Sequence, residues 1–276
     1  MPRRKAQSPA AAAVSEPAEG WWGRYQLDED ATARFAIGPL DLALHHAEAE
    51  WLIAQASNLD PFSERLIIEV PGDAPESLFG AQRHRYSFSR NHPEFALLPR
   101  TADRPVVVRP ESPISVPPAE SVTFYVTTPL WVSVTLGAGN AQIEDIPTLP
   151  MNDTWFGTTL AGELCYAGLT WAKNRLSSVP PRPHRLVTPV QIHNRAHDML
   201  HVESLKLPLI NLPVMVDDQQ RLHTPALRLT RENADDRAVL RVVQDSSHEN
   251  SRQVSPARQY LSHQSAFHVF TRLFHG

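Results

Sequence analysis

The chain has 276 residues, with 26 Lys and Arg against 30 Asp and Glu, a formal net charge of −4. That balance argues against a general nucleic-acid binder, which presents a basic face; the single cysteine, Cys165, excludes an internal disulfide and a cysteine-rich zinc site. The hydrophobic fraction of 42% suffices for a sizeable core in one large or two small domains, and no apolar run approaches a membrane span.

Residues 1–20 are rich in Ala, Pro and Ser, which predicts a disordered tail. Their apolar part, Ala10 to Val14, is too short for a signal peptide, so the expected location is the cytoplasm. Trp21-Trp22-Gly23-Arg24-Tyr25 opens the folded part, with aromatics able to tie the terminus to a core. Asp28 to Asp30 reads as a turn, Ala33 to Ile37 as a strand and Gly38-Pro39 as a turn. Leu40, Leu42 and Leu44 alternate with Asp41 and Ala43, which predicts paired strands over Leu40–His45 and Ala49–Gln55. Ala and Glu content favours a helix from Leu40 to Ala56 instead, but the leucine spacing does not. Arg65 to Val70 is a strand. Arg83 to Phe88 alternates basic or polar with aromatic residues. That pattern can stack on single-stranded nucleic acid, yet an acidic chain favours an exposed strand with two core aromatics. Phe95–Leu98 and Val106–Arg109 are further short strands.

Pro110 to Leu136 is the stretch around which the rest is organised. Pro110, Pro113, Pro117 and Pro118 make an extended lead-in. Val122, Phe124 and Val126 then alternate with polar residues, and Val132, Val134 and Leu136 resume the phase after Pro129. Two strands of one sandwich are predicted, with a kink or crossover at Thr128–Pro129 and with Val122, Phe124, Val126, Val132 and Val134 buried.

Residues 137–150 carry Gly137, Gly139, Asn140, Pro147 and Pro150 and read as a linker at a domain boundary. Strands follow over Thr154–Leu160 and Glu163–Ala172, then a proline-rich loop from Lys173 to Pro183. Arg185–His193 and Met199–Lys206 flank a hairpin turn at 194–198. Leu207 to Val216 carries Pro208 and Pro213 and is an edge or crossover segment. Thr224–Thr230 and Ala238–Val243 close the set around a charged turn, Arg231 to Arg237. The evenly recurring short strands argue for a mainly β protein with two sandwich-like antiparallel β domains, 21–140 and 151–250. At the end, Ser255-Pro256 is a helix start, and Tyr260, Phe267, Phe270 and Phe274 fall at helical spacing. An amphipathic helix over 256–275 is predicted. From Gln253 onward it carries Arg258 and Arg272 and no acidic residue, so it either packs on the sandwich or docks on a partner. Two arginines attract an anionic membrane weakly, so a protein partner is favoured and membrane contact is at most peripheral.

The segment PISVPPAESVTFYVTTPLWVSV resembles the DUF432 family, where a Pro-rich lead precedes a Tyr-Val-Thr strand, a proline and an aliphatic strand. The likeness continues at Trp155-Phe156-Gly157, at Gly162-Glu163-Leu164-Cys165-Tyr166, at Val190-Gln191-Ile192-His193-Asn194 and at the opening Gly23-Arg24-Tyr25. The chain departs from the family pattern by lacking an Arg between Cys165 and Tyr166 and by its long Ala/Pro tail. The resemblance implies a β-rich design, brings no catalytic residues, and hints at a mechanosensitive channel as partner.

Candidate sites are few. His193, His197 and His201 recur every four residues and would share a helix face able to bind a metal. On the predicted hairpin, with His197 in the turn, the three do not converge, although His193 and His201 could face each other across the strands, and Asp198 and Glu203 add no ligand cluster. Cys165, between Leu164 and Tyr166, reads as a small core residue rather than a thiolate. Asp217-Asp218 and Asp235-Asp236 are acidic pairs in turns, a poor geometry for glycosidase chemistry. Nucleophile-elbow, P-loop and dinucleotide motifs are missing. No metal, cofactor or catalytic residue is expected. The expected function is a non-enzymatic interaction or regulatory protein. Its alternatives are a small-ligand or carbohydrate-binding module using Trp51, Trp131 or Trp171, and a hydrolase with an unrecognised site.

Overall fold

The computed structural model describes residues 20–75, 78, 82–110, 113–137, 141–160, 162–168, 171–233, 237–243, 250–259, 266–268 and 270–271. The protein is mainly β, as its alternating β-branched and aromatic runs predict. No helix among the described residues is long and apolar enough to cross a membrane.

Two antiparallel sheets form the first layer pair. One is a meander ordered Leu66–Glu69, Thr32–Ile37, Leu40–Ala47, Glu50–Ser57, Gln82–Ser87. Its central hairpin runs from Leu40 opposite Ser57 to Ala47 opposite Glu50, as the leucine alternation predicts. The other is ordered Gly23–Gln26, Glu94–Arg100, Trp131–Leu136, Ala141–Pro147. Their facing sides meet in a cluster that includes Tyr25, Phe35, Trp51 and Phe95. Tyr25 stacks on Phe95 at 5.1 Å, and Phe35 meets both edge-on. The strand Ala141–Pro147 replaces the predicted linker. Ile143 and Ile146 pack on the core, and the strand sits at the sheet edge, where a terminal proline costs no ladder bond.

The larger sheet is centred on Arg185–Asn194. Ser121–Pro129 pairs antiparallel to it on one side; Leu222–His223 and Ala226–Arg231 lie parallel to it on the other. Opposite stands a sheet ordered Asn152–Gly157, Gly162–Ala167, Val106–Val108, Ser204–Leu207, Phe270–Thr271. A second core, with Val126, Val190, Leu207 and Leu229, fills the space. Because both sides of Arg185–Asn194 are occupied, the predicted hairpin with Met199–Lys206 does not form. Leu200–Val202 pairs with Ile114–Val116 instead.

The strand pair around Pro129 is divided between these cores. Ser121–Pro129 lies in the larger sheet and Trp131–Leu136 in the first layer pair. Leu130, between them, donates its N–H to the His184 carbonyl, while Thr148 gives both N–H and Oγ1–H to the Leu130 carbonyl. Val126, Val132 and Val134 are buried as expected; Val122 and Phe124 are half-buried against the rim of the second core.

The predicted C-terminal helix is corrected over its described part. Ala266–His268 pairs with Arg237–Val243, and Phe270–Thr271 with Ser204–Leu207. Both partners would otherwise present open sheet edges, and the Phe/His/Thr composition suits a strand, so edge pairing overrides the helical spacing. Tyr260 and Phe274 lie outside the described residues, as do residues 1–19.

Candidate functional site

The sequence VPPRPHR, read above as the end of a loop and the start of a strand, builds one wall of a cleft of about 240 Å³. Its prolines hold the backbone extended and give it no N–H to satisfy. The Pro183 carbonyl instead accepts the Trp21 indole N–H at 3.0 Å, which fixes Trp21 and, edge-on to it at 5.6 Å, Trp22 at the mouth. Sheet register supplies the floor. Thr127 lies opposite both Trp171 and Val187, and Arg185 stands two residues before Val187 on the same face. A tight turn supplies the rim: Asp217 Oδ1 accepts the backbone N–H groups of Gln219 and Arg221, each at 2.9 Å.

Arg185 is 4% exposed, and its guanidinium lies 4.0 Å from the centre of the Trp171 ring. Arg182 lies over the rings of both Phe62 and Trp171. Burial, then the neighbouring Arg182 charge, pushes the Arg185 guanidinium down to about 9, so it still carries its charge at neutral pH. His184, fully buried behind them, is pushed down to about 4, first by burial and then by Arg185, with the Pro61 backbone and then Asp60 pulling the other way. It is neutral at pH 7. The Oγ1 of Thr127 and the Nε of Arg182 are buried and have no hydrogen-bond partner. The cleft thus joins apolar walls to arginine side chains, a combination suited to holding a small ligand.

Of the aromatics proposed for ligand contact, none lines this cleft, and only Trp171 touches residues that do, Arg182 and Arg185. Trp51 is buried, stacked on His46 at 4.6 Å, and Trp131 is buried against Tyr166. The three histidines do not converge. His193 pairs with Ser121 and His201 with Ser115, in different sheets, and His197 is exposed in the turn. Among the described residues no group of three or more His, Cys, Asp or Glu could hold a metal. Asp198 instead accepts a two-pronged bond from Arg231, at 2.8 and 3.1 Å. Arg231, read as part of a charged turn, is fully buried.

Cys165 is buried, and burial, then Glu163, pushes its thiol up to about 11, against an opposing pull from Lys206. Asp217 serves its own turn, and Asp235-Asp236 lies outside the described residues. Arg83, His84 and Arg85 are exposed, but Glu50 holds Arg85 and Glu144 holds His84. Tyr86 also donates to Glu144 at 2.5 Å, so this trio ties the edges of the first two sheets together. Of the partner-docking candidates, Phe267 and Phe270 have described backbone in strands, and Tyr260 and Phe274 do not.

Arg182, Arg185, Thr127 and Trp22 were not legible as a site. The local signal was the pair of arginines inside a proline-rich run; what makes them a site is register across strands far apart in the chain. The model of a family described as a protein of unknown function, DUF432, matches residues 21–274. No curated protein and no solved structure matches the chain.

Proposed function

The chain belongs to the DUF432 family, and on that premise we propose that it is a non-enzymatic ligand-binding and regulatory protein whose ligand enters the cleft between Trp22 and Arg185. The observation that carries this reading is the buried Arg185, stacked on Trp171 and lining a cleft whose apolar walls of proline, valine, leucine and tryptophan are joined by Thr127, Arg182 and the turn 219–221. A sheet-borne cation in an apolar recess is pre-organised to orient a guest. The test is a thermal-shift screen of the full chain against a library of small polar and aromatic compounds. A subset should raise the melting temperature with dose, as a ligand bound only by the native state does, and Val187→Trp, which fills the cleft, should abolish those shifts. A library with no such compound, or hits indifferent to Val187→Trp, overturns the reading.

A regulatory role needs a partner, and one surface supports a protein. The hairpin Asn152–Gly157/Gly162–Ala167 forms a sheet edge, with Trp155 and Leu164 opposite each other, 53% and 45% exposed, and Leu160 at its tip, 98% exposed. Such an apolar edge suits protein contact. The mechanosensitive channel hinted at by the family resemblance is the partner to test. Purified channel should capture the wild-type chain and lose it on Trp155→Ser with Leu164→Ser; equal capture of both removes this surface from the reading.

A further inference from the structure

We propose that the chain pairs with a second copy of itself along the free edge of the meander, Leu66–Glu69 antiparallel to Leu66–Glu69, with Ile67 on the two-fold axis.

The edge is open. Leu66–Glu69 is the terminal strand of its sheet, and no strand among the described residues lies beyond it. Gly38 donates its N–H to the Arg65 carbonyl at 2.8 Å, so Arg65 and Gly38 form a hydrogen-bonded pair. Bonded and non-bonded pairs alternate along an antiparallel ladder. Ile67 and Glu69 therefore turn their backbone groups toward Thr32–Ile37, and Leu66 and Ile68 turn theirs outward. The side chains are uncovered too. Leu66 and Ile68 stand opposite Ile37 and Phe35, on the face of the first core, yet they are 50% and 40% exposed. Edge strands are commonly blunted by lysine, proline or a bulge, and these four residues carry none.

The order of the side chains names the occupant. Pairing about Ile67 sets Leu66 against Ile68 of the second copy, twice. All four residues face outward, so their N–H and C=O groups satisfy one another. The same register sets Arg65 against Glu69 of the second copy, again twice, in the closer, non-hydrogen-bonded pairs. Arg65 already holds Asp41 at 2.7 and 2.9 Å, and Glu69 lies 3.7 Å from Arg34. The new contacts make a row of alternating sign: Asp41, Arg65, then Glu69 and Arg34 of the second copy. Opposite charges across strands attract. Sliding the register by two residues either way sets Ile67 against Arg65 or Glu69 and leaves the charges unmatched. The far edge of the sheet, Gln82–Ser87, carries Arg83 and Arg85, like charges that oppose self-pairing. Leu66 also lines the cleft, so Ile68 of the second copy would stand beside its mouth. The pairing rests on the edge alone and is independent of what enters the cleft. Four residues a side make a small interface, so a weak, concentration-dependent dimer is expected.

The experiment is sedimentation equilibrium of the full chain from about 1 to 500 µM, where the apparent mass should rise from one chain toward two. Glu69→Arg sets arginine against Arg65 at both ends of the pairing, and Arg65→Glu sets glutamate against Glu69. Each alone should weaken the dimer at least about tenfold. An equimolar mixture of the two variants matches opposite charges again. It should associate within about threefold of the wild type, a recovery that misfolded variants do not give. Oxidative cross-linking tests position. Ile67 meets its own copy across the axis with Cα atoms about 4.5 Å apart, within disulfide reach; Ile68 meets its own copy only on the diagonal, about 7–8 Å away. The native Cys165 is buried. Ile67→Cys should therefore cross-link under diamide at least about tenfold faster than Ile68→Cys. A chain that stays monomeric at about 500 µM overturns the proposal, as does a dimer that neither charge reversal weakens. Weakening without recovery in the mixture, or cross-linking no faster at 67 than at 68, overturns the register. If a reversal variant melts well below the wild type, the two cysteine variants decide.

Discussion

His184 is where the chemistry of a single residue governs the most. It is fully buried, it accepts Leu130 on its carbonyl, and it packs so closely on Gly38 that a Cβ there would come within 2.1 Å of Nδ1. Gly38 has φ +59, a left-handed turn conformation suited to glycine, so space and backbone both demand that residue. The imidazole is neutral in the fold and titrates at about 4, against 6.5 when free. A base whose folded value is depressed takes up its proton in the unfolded state first. Stability is therefore complete above pH 6.5 and falls between pH 6.5 and 4, by about 3 kcal/mol from this residue. Urea titrations at pH 7 and pH 4 should show that drop shrink by this amount in His184→Gln; an unchanged drop would place the acid sensitivity elsewhere. Cys165 makes the opposite prediction about reactivity. With its thiol at about 11 and its side chain buried, iodoacetamide at pH 8 should label the native protein at least about a hundredfold more slowly than the urea-unfolded chain. Comparable rates would mean that the strand opens readily. The burial of Cys165 was legible from its apolar neighbours. That of Arg231 was not, because its partner Asp198 lies 33 positions away and nothing local announces the pair.

Elements were legible where their pattern is local. The leucine alternation at 40–44 marks its strand, and the two-residue turn at Glu48-Ala49 fixes the register of the hairpin. Pairing across distance was not legible. Nothing in Arg185–Asn194 says that its neighbours are a strand 64 residues earlier, Ser121–Pro129, and a parallel one beginning at Ala226. The C-terminal segment fails for a related reason. Its aromatic spacing fits a helix, yet two open sheet edges compete for the same backbone. The crossover at Leu130 is the element whose contribution can be measured directly. Thr148 Oγ1 donates to the carbonyls of Leu130 and His184 at 2.8 and 3.1 Å. Both carbonyls keep a backbone donor when that hydroxyl is lost, Thr148 N–H for the first and Leu130 N–H for the second. Thr148→Val should therefore cost only about 1 kcal/mol in urea denaturation. A cost several times larger would mean that the hydroxyl sets the path of the crossover, not merely its hydrogen bonding.

The whole molecule holds two cores that share strands. The first draws Leu186, Val214, Val216 and Leu222 from the second half of the chain, and Trp131 at the crossover belongs to the second core while Val132 and Val134 belong to the first. Neither core can be completed by its own half. Thermal unfolding should accordingly be one cooperative event, with matching calorimetric and van't Hoff enthalpies and coincident transitions by near-ultraviolet and far-ultraviolet signals. Two resolved transitions would show that the shared side chains contribute little to holding the halves together.

The shared core also sets a schedule for synthesis. A ribosome delivers Ile146, the last member of the first core from the N-terminal half, well before it delivers Leu222. At roughly 5–20 residues per second the interval lasts about 4–15 s. Through that time Phe35, Phe95 and Val132 belong to a nascent sheet pair that still lacks part of its cover. A newly made chain exposes apolar surface for seconds where a self-contained N-terminal unit would already have closed, and it is in that window that a chaperone would meet it.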